Sequence, residues 1–182
     1  MSLLTNNSAM TRMPPWLVRE LRSDHAGETG AVAIYQGILA VSRDPAVVKF
    51  AQHHLTTERD HLALMDQLLP RTKRSKLLFL WRAAGFLTGY LPAIFGSSSV
   101  FRTVEAVEKF VDIHYSAQID RLRLESTHQE IRQKLESCRA DERHHLDDAR
   151  RRALGSSGLA ILCWVALVTL GSRFAVAIAR II

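Results

Sequence analysis

Two copies of the string Glu-x-x-His constrain this chain more than any other feature: Glu58-Arg59-Asp60-His61 and Glu142-Arg143-His144-His145. Residues at i and i+3 share one face of an α-helix, so each string can aim a carboxylate and an imidazole at a common point. A further acid stands upstream of each: Glu28 is 30 residues before Glu58, and Glu108 is 34 before Glu142. Asp44-Pro45 reads as a turn with an N-cap and first-turn proline between the first two. Glu28 lies 16 residues before Asp44 and Glu58 lies 14 after it. At 1.5 Å per residue these are about 24 and 21 Å from the turn, level with each other on antiparallel helices. Around Thr127 the same holds, with Glu108 19 residues before and Glu142 15 after. The chain reads as two helical hairpins, each offering Glu … Glu-x-x-His at one height.

Packed together, the hairpins supply four carboxylates and two imidazoles to the centre of one bundle. That is the ligand set of a carboxylate-bridged di-metal site in a ferritin-like bundle. Four buried carboxylates without cations are costly, and two divalent ions would balance them. Oxygen and nitrogen donors without thiolates suit iron or manganese better than structural zinc. Asp141, directly before Glu142, is a candidate acceptor that orients a ligand imidazole. Two positions have rivals: Glu105 shares a helix face with Glu108, and His144 could replace His145. His53, His54 and His128 are expected at the surface.

The rest of the chain is consistent with an all-α fold. Only 9 glycines and 5 prolines occur, and long stretches lack both, which argues against a β-sandwich. Amphipathic helices are expected over about 15–42, 45–69 and 100–124, and a fourth is expected to start at the capping box Thr127-His128-Gln129-Glu130 and run to about 152. Leu154-Gly155-Ser156-Ser157 should break that helix. Two apolar helices, about 77–95 and 158–182, complete the set. Residues 1–15 read as an N-terminal extension and 16–182 as one domain, with no secretory signal at the start. Cys138 and Cys163, in no C-x-x-C arrangement, exclude a disulfide scaffold and a tetrathiolate zinc site.

The apolar segments carry Arg82, Pro92 and Arg173, so neither is a clean membrane span. Each follows a basic cluster, Arg71–Lys76 in one case and Arg150-Arg151-Arg152 in the other. Each such cation contributes about 1 kcal/mol near anionic headgroups, so the two helices are expected to lie half-sunk in a membrane face. Much of the net charge of +6 is thereby placed. Nucleic acid is not expected, because the basic residues do not interleave with aromatics and no recognition signature appears.

Several stretches together resemble the demethoxyubiquinone hydroxylase family. They are Asp24-His25-Ala26-Gly27-Glu28-x-Gly30-Ala31, Ile34-Tyr35-x-Gly37, Glu58-x-Asp60-His61-Leu62, Val107-Glu108 followed by His114-Tyr115, and Asp141-Glu142-x-His144-His145. Leu80-Trp81-x-x-Ala84-Gly85-Phe86 is similar as well, so the resemblance runs from about Leu17 onward. It implies a non-haem di-iron monooxygenase of ubiquinone biosynthesis that hydroxylates the ring of a demethoxylated polyprenyl benzoquinone or quinol (3-demethoxyubiquinol) with O₂. By the same resemblance Glu28, Glu58, His61, Glu108, Glu142 and His145 hold two iron ions, with Glu58 and Glu142 as bridges. Glu108 is preferred over Glu105 because the family's glutamate stands six residues before the His-Tyr pair. His114 and Tyr115 are implied to line the site as proton or electron relays. Lys109 departs from the family, whose members often carry a second acid there.

Gly27, Gly30 and Gly37 each cost about 1 kcal/mol against Ala in a helix, and are expected to clear space for the ring or for close helix contact. Electrons must come from an external donor, since no G-x-G-x-x-G fingerprint occurs. The implied partners are the polyprenyl quinol, whose tail would run between the apolar helices, a membrane lipid surface, and other proteins of ubiquinone biosynthesis. The implied location is peripheral, on the cytoplasmic face of a bacterial inner membrane or the matrix face of the mitochondrial one. The alternative is a ferritin- or rubrerythrin-like protein that binds iron or handles peroxide. The missing rubredoxin-type cysteine module and the two extra apolar helices count against it.

Overall fold

The computed structural model describes residues 13–126, 128–153 and 158–182. Residues 1–12 of the expected extension, Thr127 of the expected capping box and the expected break at 154–157 lie outside the described residues. Helix α1 spans Pro15–Val41 and α2 spans Pro45–Leu68, each with proline in its first turn. The Asp44 side chain accepts from the Ala46 amide at 2.8 Å, the cap expected there. A short 3₁₀ turn, Arg71–Lys73, leads to α3, Leu78–Ile94. Helix α4 spans Ser97–Glu125, starting three residues earlier than expected, behind Gly96 at φ 100°. Helix α5 spans Gln129–Arg152 and α6 spans Leu159–Ala179. Among the described residues there is no strand.

The start of α5 corrects one expectation. Its N-cap is His128, at φ 53° and without a side-chain cap. That places Glu130 at the second helical position, where it cannot close a capping box. It pairs instead with Lys134 at 2.8 Å.

Cross-helix contacts set the register of the bundle. Trp16 meets Glu125, Asp24 meets Gln118, and Tyr35 meets Glu108, so α1 and α4 run antiparallel. His61 meets Asp141 while His54 meets Asp148, so α2 and α5 run antiparallel too. Two apolar clusters fill the interior. One gathers Ile38, Phe50, Phe101, Val104 and Ala149, and the other Leu21, Met65, Ile119, Leu122 and Leu135. Each of the larger of these buried side chains contributes about 1.5–3 kcal/mol. The polar site residues lie between these two clusters in all four helices, which holds them in place from above and below.

Helix α3 packs on α1 through glycine. A Cβ at Gly85 would overlap the carbonyl oxygen of Gly30, one at Gly89 that of Ile34, and one at Gly37 that of Phe86. Gly37 therefore serves close helix contact, whereas a Cβ at Gly30 would meet only the Trp81 carbonyl oxygen at an ordinary 3.7 Å and one at Gly27 nothing within 4 Å. Gly89→Ala is expected to cost about 1–3 kcal/mol, because backbone rather than a flexible side chain must move. Gly27→Ala should gain up to about 1 kcal/mol from helix propensity. Urea denaturation of the two variants checks both signs.

Helices α3 and α6 present apolar side chains outward, among them Phe79, Leu87, Leu162, Leu170 and Phe174. By length and composition α6 is long and apolar enough to cross a membrane, and α3 is shorter. The far end of α6 is tied down: Arg22 donates to the Ile181 and Lys73 carbonyls, and Arg180 pairs with Glu20 at 2.8 Å. The basic run after α2 thus lies beside the end of α6.

Candidate metal centre

Four helices each bring part of one cluster. Glu28 comes from α1, Glu58 and His61 from α2, Glu108 from α4, and Glu142 and His145 from α5; all six are buried. Their donor atoms form two groups, Glu28, Glu58, His61 and Glu142 in one, and Glu58, Glu108, Glu142 and His145 in the other. Within each group the donor atoms lie within 4.8 Å of one another. Glu58 and Glu142 belong to both groups. The histidines cross over, with His61 Nδ1 2.9 Å from Glu142 Oε1 and His145 Nδ1 3.0 Å from Glu58 Oε1. Asp141 Oδ2 lies 3.2 Å from His61 Nε2, which occupies the far nitrogen and leaves Nδ1 facing the cluster.

The rivals point elsewhere. Glu105 reaches out to Arg150 at 3.2 Å, and His144 is exposed. Successive helical residues differ by about 100° in direction, so His144 leaves the face that Glu142 and His145 share.

The electrostatics of the cluster call for cations. Burial and the nearby Glu142 charge push the Glu58 and Glu108 carboxyls well above the usual range, and raise Glu28 to about 7. Burial also pushes Glu142 upward, but its contacts with His145, His61 and Glu108 prevail and draw it to about 2. Burial depresses His61, yet its hydrogen bond to Glu142 and the Glu28 charge raise it to about 9. Without cations the cluster thus retains protons that isolated carboxylates would release at neutral pH. Both carboxylate oxygens of Glu58 and Nδ1 of His145 are buried, and the 3.0 Å contact between the two residues lacks hydrogen-bond geometry. Orphaned acceptors of this kind, in an oxygen-rich set with two imidazoles, fit a pair of divalent metal ions.

Two buried residues at this centre escaped the reading of the sequence. Tyr35 donates to Glu108 Oε1 at 2.9 Å, mirroring Tyr115, which donates to Glu28 Oε1 at 2.5 Å. The signal was available: each tyrosine stands seven residues after one of the upstream glutamates. His54, expected at the surface, is fully buried. It sits four residues before Glu58 on the same face of α2, edge-on to the His145 ring with centroids 4.1 Å apart. Its Nε2 lies 3.1 Å from Asp148 Oδ2, while burial and the neighbouring His145 lower it to about 3. His53 is exposed and His128 partly so. His114 Nε2 lies 2.9 Å from Asp24 Oδ1 and 3.3 Å from Ser23 Oγ, one residue from Tyr115.

A cavity of about 510 Å³ adjoins the cluster. Glu28, Glu58, Glu108 and Glu142 line it, as do Gly27, His114 and Tyr115. Its walls come from α3, through Trp81, Ala84 and Gly85, and from α6, through Trp164, Val168, Gly171 and Ala175. The volume falls within the range of small-molecule sites.

The family model of the ubiquinone biosynthesis protein COQ7 matches residues 15–179. A 3-demethoxyubiquinol 3-hydroxylase of Rhodospirillum rubrum is 46% identical over 107 residues, covering 57% of this chain and 50% of that one. The human mitochondrial NADPH-dependent 3-demethoxyubiquinone 3-hydroxylase is 34% identical over 133 residues, covering 71% of this chain and 61% of that one. Its Caenorhabditis elegans counterpart is 29% identical over 165 residues, 88% of this chain and 87% of that one. The matches thus span about half the length of the bacterial relative and about three-fifths of the human one.

Proposed function

The chain belongs to the family of the ubiquinone biosynthesis protein COQ7, and from that premise we propose that it is a di-iron monooxygenase that hydroxylates the ring of 3-demethoxyubiquinol with O₂. The observation that carries the reading is the junction of two donor groups sharing Glu58 and Glu142 with a cavity that runs between the two apolar helices. Glu28 and His61 would hold one iron ion, Glu108 and His145 the other, and Glu58 and Glu142 would bridge them. The pair of ions, when bound, supplies the activation of O₂, with electrons from an external donor.

The chain's own residues do the rest. Asp141 holds the His61 imidazole in orientation through Nε2. The benzoquinol ring would lie over Gly27 beside the carboxylates, where a side chain at that position would intrude. Apolar walls from α3 and α6 exclude water and would enclose the first part of the polyprenyl tail. His114, against Asp24 and Ser23, and Tyr115, on Glu28, line the cavity and would move protons between the ring and the bundle. The outward apolar faces of α3 and α6, with Arg71, Lys73, Arg74 and Lys76 at one end, favour a peripheral position on an anionic membrane. A cytoplasmic face of a bacterial inner membrane is the proposed setting, with other proteins of ubiquinone biosynthesis as neighbours.

Lipid extraction from cells lacking the protein tests this. The demethoxy precursor should accumulate, and wild type but not Glu142→Ala should restore the product. Normal ubiquinone with no precursor would overturn the reading.

A further inference from the structure

The two upstream glutamates are held in the same way by opposite helices. Tyr35 of α1 bonds Glu108 of α4, and Tyr115 of α4 bonds Glu28 of α1. Both tyrosines are 1% exposed, so neither hydroxyl has water to turn to. Each follows its own helix's glutamate by seven residues, two helical turns on nearly the same face. Because α1 and α4 run antiparallel, that spacing brings each hydroxyl level with the other helix's carboxylate. Each bond engages Oε1 of its glutamate. Glu28 and Glu108 are also the two acids that the donor groups do not share.

We infer that Tyr35 and Tyr115 are positioning residues that act one per metal position: Tyr35 sets the Glu108–His145 position and Tyr115 the Glu28–His61 position. The inference rests on the two-metal reading proposed above. A tyrosine acting only as core packing would affect both positions alike, through the fold. One acting through its glutamate affects a single position.

Cobalt(II) titration of the full metal-free chain, followed by calorimetry and visible absorption, separates these cases. Wild type should take up two ions. In Tyr35→Phe one binding step should weaken about tenfold or more, the loss typical of a hydrogen-bond partner to a metal ligand, while the other stays within about twofold. In proton spectra at half-saturation, the paramagnetically shifted ring signals of His61 should then dominate those of His145. Tyr115→Phe should give the reverse pattern. Glu108→Gln should weaken the same step as Tyr35→Phe, and the double variant should lose no more than Glu108→Gln alone. That cycle keeps the test meaningful if a phenylalanine also loosens the fold. Steps that shift together, or additive losses in the double variant, overturn the assignment while leaving the two-metal reading in place. Uptake of fewer than two ions by wild type overturns both.

Discussion

Glu58→Gln is expected to raise the melting temperature of the metal-free chain and to abolish most of the stabilisation that divalent metal gives the wild type. Glu58 is the acid that Glu142, Glu28 and Glu108 all disfavour once burial has raised it. The folded wild type therefore keeps a proton there at pH values where the unfolded chain has already released it. That retained proton costs stability by linkage, and a neutral amide of the same shape avoids it. The gain is read as a higher melting temperature of the metal-free variant. Metal at about a thousand times its dissociation constant should stabilise wild type by about 4 kcal/mol. The variant, lacking a donor common to both positions, should show under about 1 kcal/mol. Thermal melts of both proteins with and without iron(II) under anaerobic conditions read these quantities. A metal-free variant that melts no higher than wild type would count against a cluster of mutually repelling carboxylates.

The second large effect is a dependence on pH that metal removes. The metal-free chain should lose stability steadily as pH rises from about 6.5 to 9. His61, raised to about 9 by Glu142 and Glu28, stabilises the fold fully below 6.5 and loses that contribution as pH approaches 9. It accounts for on the order of 3 kcal/mol. Glu58 and Glu108 act in the same direction, since their raised carboxyls bind protons in the fold that the unfolded chain has already lost. Glu142 and His54 titrate below this window, so they do not oppose the trend there. Loading with divalent metal replaces those protons, and the slope should flatten. Chemical denaturation at pH 6.5, 7.5 and 9, with and without metal, measures it; a metal-free stability that rises across the range would refute the account.

The six ligand candidates were legible because their relations are mostly local. Glu58 and His61, or Glu142 and His145, share a face by helical geometry, and a turn at a known position sets the height of each upstream acid. The choice between Glu105 and Glu108 needed the family resemblance, since both lie on one face of α4. The glycines were read correctly in kind but not apportioned. Gly37 admits the backbone of Phe86 and Tyr90, Gly30 lies under Gly85 of α3, and Gly27 faces the open cavity. His54 was misplaced because its burial depends on Asp148 of α5, 94 residues away.

The order of helices, their hairpin pairing and the level of each acid follow from spacing along the chain, because a helix converts residue number into length at a constant rise. The side on which each helix faces its neighbours does not follow in that way. It depends on how apolar surfaces from distant segments pack, and only packing brought Tyr35 to Glu108, 73 residues away, and Tyr115 to Glu28, 87 away. The doubled Glu-x-x-His was written in the chain; the shared carboxylates, the crossed histidines and the tyrosine braces exist only once α1 meets α4 and α2 meets α5.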